Sequence, residues 1–419
     1  MNIEVINKEK YDIYYVKSNK FKTILISTLF INKTKYENIT KDKLLCDFLI
    51  NSTKKYNNEV KMSRELMNLY DPRIDVYDIY LDMHSKCFDI SFLDEKYTEK
   101  GMNKKTIDFY YDLIFNPNIC NNSLEENNFD IVKNSLFADF SIREENPSEM
   151  AFINAMKNIK DDIPISHDTY GNKSDLNKIN REECLKYYLD SITNSKVVIF
   201  IVGNIDDSVI NYIDNNIKDR INKNNISYKK EYELSKVKDV LIKNDKSNFN
   251  ETIIYLIYKI NNMTKRERYG VLPLLNEILG GSSAKLFNNV REKNSLAYYA
   301  YSNYSPSQSL LYMYAGINKV NKDKTINLMK EQLESIKNND ITDEELISAK
   351  NTLLASLKST DDNQYKIVND MIFVKLFDRD NYKEREKIFL DITKEEIVNL
   401  SKKIDLDIIY TLEGEDRNE

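Results

Sequence analysis

The chain carries the same series of segments twice, in the same order. FKTILISTLFI, from Phe21, reads as a half-buried strand, and FNETIIYLIYKI, from Phe249, reads the same way; their threonines, Thr23 and Thr252, lie 229 apart. An apolar-periodic helix follows each, through Leu44, Leu45, Phe48 and Leu49 in one half and Leu274, Leu275, Ile278 and Leu279 in the other, where Pro273 opens or kinks it. Helix-start signals then line up: SLEE at Ser123 with TDEE at Thr342, 219 apart, and NREE at Asn180 with TKEE at Thr393, 213 apart. Each of the latter two helices runs into a β-rich segment, KVVIFIVGN ending near Gly203 and LDIIYTLEG ending at Gly414, 211 apart. Offsets that shrink steadily while the order is kept are those of a duplicated domain with short insertions. This predicts an α+β protein of two like domains, each a mainly antiparallel sheet covered by helices on one face. Their expected bounds are 1–222 and 249–419, joined by a polar linker over 223–248.

Composition agrees and excludes several functions. A chain of 419 residues exceeds what one core supports, and 41% hydrophobic residues with 29 tyrosines and 17 phenylalanines suffice for two. Acidic residues outnumber basic ones, 67 to 61, and the lysines are scattered among them, which argues against a nucleic-acid partner. The first residues have neither a basic nor an apolar leader region, and nowhere do about 18 apolar residues run together. A cytoplasmic protein with no membrane partner is expected. Cys46, Cys87, Cys120 and Cys184 form no CxxC and read as reduced thiols, while His84 and His167, 83 apart, share no ligand spacing and read as packing or surface residues.

The stretch GGSSAKLFNNVREKNSLAYY, residues 280–299, lacks the Lys-Ser/Thr ending of a phosphate-binding loop. With the preceding leucine and the AYS that follows, it resembles the second half of the M16 metallopeptidase family, the pitrilysin and mitochondrial-processing-peptidase group. The segment HDTYGNKSDLNKINREECLKYYLDSITNSKVVIFIVGNID, 167–206, is similar to the end of that family's first domain. The resemblance implies two LuxS/MPP-like domains arranged as a clamshell about a peptide-binding chamber, often with two such chains together. Active members carry H-x-x-E-H on the helix after the first strands, where histidines at i and i+4 share one face and hold zinc while the glutamate activates water. Here that helix reads KDKLLCDFLINSTKKY, and matching the family's Gly-Thr turn to Ser52-Thr53 places Lys43, Cys46 and Asp47 at the His, Glu and His positions. Ala138 or Asp139 falls near the expected third ligand. An ammonium cannot ligate zinc, so the resemblance implies a degenerate site with no metal, no cofactor and no hydrolysis by this chain alone.

The same resemblance gives Arg291 and Tyr298, seven residues apart, the role of donors to the substrate carbonyl, facing the chamber, with Gly280, Gly281, Ser282 and Ser283 lining the substrate path. Strand alternation would put Tyr298 and Ala300 on one face and Tyr299 and Tyr301 on the other. The implied function is a catalytically inactive subunit that binds peptide and complements an H-x-x-E-H-bearing partner in a heterodimer. A self-associating peptide-binding or chaperone-like module, or a scaffold, stays open, as does a local Arg291–Glu292 pair with Tyr298 in a core. In length and in REKNSLAYY the chain also resembles a metal-less bacterial branch associated with 5-aminopentanol modification of elongation factor P.

Overall fold

The computed structural model describes residues 3–282 and 284–415. Its thirteen strands are β1 (Glu4–Asn7), β2 (Tyr11–Lys17), β3 (Thr23–Lys33), β4 (Arg73–Tyr80), β5 (Met83–Leu93), β6 (Ile119–Cys120), β7 (Ser123–Leu124), β8 (Lys196–Gly203), β9 (Leu241–Lys246), β10 (Thr252–Ile260), β11 (Ala297–Ser305), β12 (Leu310–Ile317) and β13 (Ile404–Glu413). One sheet has the order β1-β2-β8-β3-β5-β4 and the other β11-β12-β10-β13-β9; β6 and β7 form a small hairpin. Pairing is antiparallel except between β2 and β8 and between β9 and β13. The two-domain α+β reading is the observed fold. No helix among the described residues is long and apolar enough to cross a membrane.

Helix starts follow the capping chemistry read in the sequence, with one exception. Asn180 accepts from the Glu183 amide, and Thr342 and Thr393 close full capping boxes with Glu345 and Glu396. Ser123 instead belongs to β7, and the Glu125 carboxylate accepts from the amides of Asn127 and Asn128. The hairpin claims the serine, so the next acidic residue caps the helix Glu126–Glu144.

The chain forms two compact units, and neither is a simple half. One comprises residues 1–141, 169–229 and 360–373; the other comprises 142–168, 230–359 and 374–419. The expected 1–222, 223–248 and 249–419 division is therefore crossed by two segments. The reason lies in the central strands. Every residue of β10 is buried, and β3 is buried at eight consecutive positions, so each needs cover on both faces rather than one. In the second unit, Ile254, Leu256 and Ile260 pack with the helix Leu272–Gly280, while Ile253, Tyr255 and Ile257 pack against Ala151, Ala155 and Met156 of the helix Pro147–Met156. In the first unit, Gln364 donates to the carbonyls of Thr23 and Val202 at 2.9 and 2.8 Å, anchoring the 360–373 segment on the sheet.

The 223–248 stretch is not a free tether. Tyr232 and Leu234 enter the second unit's core, and β9 adds an edge strand to its sheet. Lys259, 3% exposed, joins β10 to Asp161 at 2.7 Å and to Asp407 at 3.2 Å.

Candidate functional site

The helix Ile39–Asn51 carries the positions matched to the zinc motif. Lys43 and Asp47, four apart, do share a face, but the Lys43 ammonium donates to both Asp47 oxygens, at 2.6 and 2.7 Å. It also lies 5.0 Å from the centre of the Tyr170 ring. Burial raises the Asp47 carboxyl above its usual range against the pull of Lys43, and the charge of Asp139 raises it further. Cys46 donates its thiol hydrogen to Asp78 Oδ2 at 2.9 Å; burial pushes that thiol well up. These residues do not fit a zinc ion. The two i,i+4 positions hold a cation and an anion already bonded to each other, and the third is a protonated thiol already bonded to Asp78.

Behind this helix face is a buried polar cluster that motif matching missed. Asp78 of β4 stands opposite Lys86 of β5, and Tyr80 opposite His84. Strand alternation turns all four toward the helix, where Asp42 meets them. His84 Nε2 lies 2.6 Å from Asp78 Oδ1, the Tyr80 and His84 rings stack with centroids 4.8 Å apart, and Asp42 accepts from the hydroxyls of Tyr80 and Tyr187, each at 3.0 Å. Burial raises the Asp42 carboxyl more than Lys86 and His84 lower it; for Asp78 burial is outweighed by Lys86 and His84, which hold it below the usual carboxylate range. His84 is thus a packing residue in an unexpected sense, buried yet hydrogen-bonded to acid. His167 contacts Asp162 at 2.7 Å near the surface. The signal available in the sequence was polar residues at alternate strand positions, Asp78-x-Tyr80 and His84-x-Lys86.

On the opposite face of β5, Asp89 is 2% exposed and accepts from the Tyr77 hydroxyl at 3.1 Å. Burial pushes its carboxyl up to about 6, against the lowering effect of Ser27 and Tyr77. A folded-state value above the unfolded 3.8 means that the folded chain holds the proton more tightly. The contribution to stability is present below about 3.8 and is lost as pH rises to about 6. Asp89→Asn should therefore stabilise the chain by on the order of 1–3 kcal/mol at pH 7.5 and by little at pH 4. Urea melts at both pH values would show this, and an equal effect at the two would refute it.

In the second unit, Arg291 is the last but one residue of a short π-helical turn, Phe287–Glu292. Its guanidinium lies 5.0 Å from the Phe287 ring centre and 3.8 Å from Glu292, with the side chain 42% exposed. Tyr298 is 62% exposed and not in a core. It is the extra residue of a β-bulge, since Ala297 pairs with Ile317 and Tyr299 with Gly316. The bulge breaks the expected alternation: Ala300 is fully buried while Tyr298 faces out, and Tyr299 and Tyr301 stack beside Tyr314. Gly280 ends its helix against β11, where a Cβ would collide with the backbone nitrogen of Ser302, and a Cβ on Gly281 would strike the Glu277 carbonyl oxygen at 2.6 Å. Close helix-to-strand approach explains Gly280, and the turn of the chain back over its own helix end explains Gly281. Ser282 is exposed, and Ser283 lies outside the described residues.

The chain thus combines two α+β units with an ion pair at the positions matched to the zinc motif. Residues 178–353 match the family model of the peptidase M16 inactive domain. The chain is 23% identical over 414 residues to the probable inactive metalloprotease YmfF of Bacillus subtilis, covering 96% of this chain and 95% of that one. It is 25% identical over 309 residues to the uncharacterized zinc protease YmxG of the same bacterium, covering 72% and 71%. A conserved protein of Enterococcus faecalis V583 has the same fold, with TM-score 0.91, 22% identity and full coverage of both chains. The chain is thus similar to the peptidase M16 inactive domain over residues 178–353 and to a probable inactive metalloprotease over nearly its whole length, and it shares the fold of such proteins.

Proposed function

We propose that this chain is a non-hydrolysing M16 subunit that holds an extended peptide and lends Arg291 and Tyr298 to the zinc centre of an H-x-x-E-H-bearing M16 partner. The observation that carries this reading is the pairing of a closed Lys43–Asp47 site with exposed Arg291 and Tyr298. A guanidinium and a phenol are donors for the oxyanion that forms when water attacks a peptide carbonyl. They serve no purpose at a site whose own chain cannot activate water. The first sheet ends at β4, an eight-residue edge strand to which a peptide can add through main-chain hydrogen bonds. One bacterium holds homologues named for each kind, an inactive metalloprotease and a zinc protease, as a heteromer of this type requires.

The test is reconstitution with an H-x-x-E-H relative. Arg291→Ala and Tyr298→Phe should each lower kcat by on the order of 10²-fold with little change in subunit affinity, because the donors act where charge develops in the transition state. Unchanged turnover with both replaced would remove the shared-site reading. Self-association without any complex would leave the chain as a peptide-binding module.

A further inference from the structure

Lys86 is 1% exposed, and its ammonium is surrounded by groups that bind cations. Asp78 Oδ1 and Oδ2 lie 2.8 and 3.1 Å from Nζ, the Cys46 sulfur 3.4 Å, and Asp42 Oδ1 3.5 Å. Ligand atoms of Asp42, Asp78 and His84 all lie within 4.8 Å of one another. Oxygen and nitrogen ligands sit about 2.0–2.2 Å from zinc, so two ligands across an ion are separated by up to about 4.4 Å. The cluster is close to that size.

We infer that Asp42, Asp78 and His84 form a cation site whose permanent occupant is the chain's own Lys86 ammonium. The internal cation ties the helix Ile39–Asn51 to the β4–β5 hairpin, as a bound metal would. Three observations carry this. The ammonium is bonded to both Asp78 oxygens and borders Asp42 and Cys46, so it lies between the two carboxylates of the set. The backbone carbonyl of Asp42 lies 3.4 Å from the same ammonium, so Asp42 faces it with a main-chain as well as a side-chain oxygen. The donors are two carboxylates, an imidazole and a neighbouring thiol, a mixture suited to zinc or cobalt rather than to calcium or magnesium. An ordinary buried ion pair needs one acid per base. Here two acids and a thiol converge on one ammonium, and a histidine is bonded to one of the acids.

The inference does not depend on the proposed partner, and its test uses the chain alone. Lys86→Ala empties the centre and leaves the ligands. Titrated with Co²⁺, this variant should bind about one equivalent, at least 100-fold more tightly than the intact chain, with a rise in melting temperature that the intact chain does not show. A thiolate-to-cobalt absorption band would place Cys46 in the shell, and adding His84→Ala should abolish tight binding. Two results would overturn the inference. In one, a folded Lys86→Ala chain takes up no cobalt; in the other, the intact chain binds cobalt as tightly, its lysine displaced. Should Lys86→Ala not fold alone, refolding with Co²⁺ decides: recovery supports the site. Failure to recover, while the charge-neutral Lys86→Met/Asp78→Asn chain folds without metal, also overturns it.

Discussion

Lys86→Met should destabilise the chain by about 3–5 kcal/mol, the cost of removing one member of a buried charge network and leaving the others unpaired. Methionine matches the lysine stem in volume, so little of the loss comes from a cavity. The loss is electrostatic. Asp78 is held ionised by Lys86 and His84, and Asp42, already raised by burial, loses the ammonium 3.5 Å away. Adding Asp78→Asn removes one stranded charge and should recover at least about half of the loss, a non-additivity typical of residues in contact. For a unit of roughly 200 residues this corresponds to a melting-temperature drop of about 10 °C for the single variant. Denaturant melts of the two variants decide the matter. A single-variant loss below about 1 kcal/mol, or a double variant no better than the single, would show that the network does not hold the helix to the hairpin.

The second large effect concerns chain connectivity. Residues 1–229 and 230–419, expressed separately, should each fail to give a stable folded monomer, although the cut falls between the two units. The 230–419 piece lacks 142–168 and so uncovers Ile253, Ile257 and Tyr410, each at most 1% exposed in the intact chain. Burial of one such side chain is worth about 1.5–3 kcal/mol, so three cost roughly 4.5–9 kcal/mol, comparable with a whole domain's stability of about 5–15. The 1–229 piece loses the Gln364 anchor on β3 and β8 together with the cover of the segment that carries it. Co-expression should restore soluble material in which the two pieces co-purify. A separate 230–419 piece melting cooperatively within a few degrees of the full chain would contradict the exchange.

Much of the fold was legible because it is local. Strand alternation, helical apolar spacing and the caps at Asn180, Thr342 and Thr393 are set by neighbours a few residues away, and duplication made each reading a check on its counterpart. Ser123 failed because a two-residue hairpin competed for it. At the site, the Lys43–Asp47 spacing was readable for the same reason: four residues on a helix make one turn. The exposure of Tyr298 was not, because a β-bulge is decided by the pairing of β11 with β12 rather than by the strand's own pattern.

What the sequence determined by itself is the doubled α+β plan and the absence of an H-x-x-E-H motif, since both rest on residue type and short spacing. Tertiary structure decided the rest. The exchanged segments could not be foreseen because which surface covers the second face of β3 or β10 is settled by shape and burial between residues more than 90 apart in the chain. The Asp42, Asp78, His84 and Lys86 cluster arises only when β4 and β5 pair in register and the helix lies across them, because charge is compensated over a few ångströms of space regardless of distance along the chain.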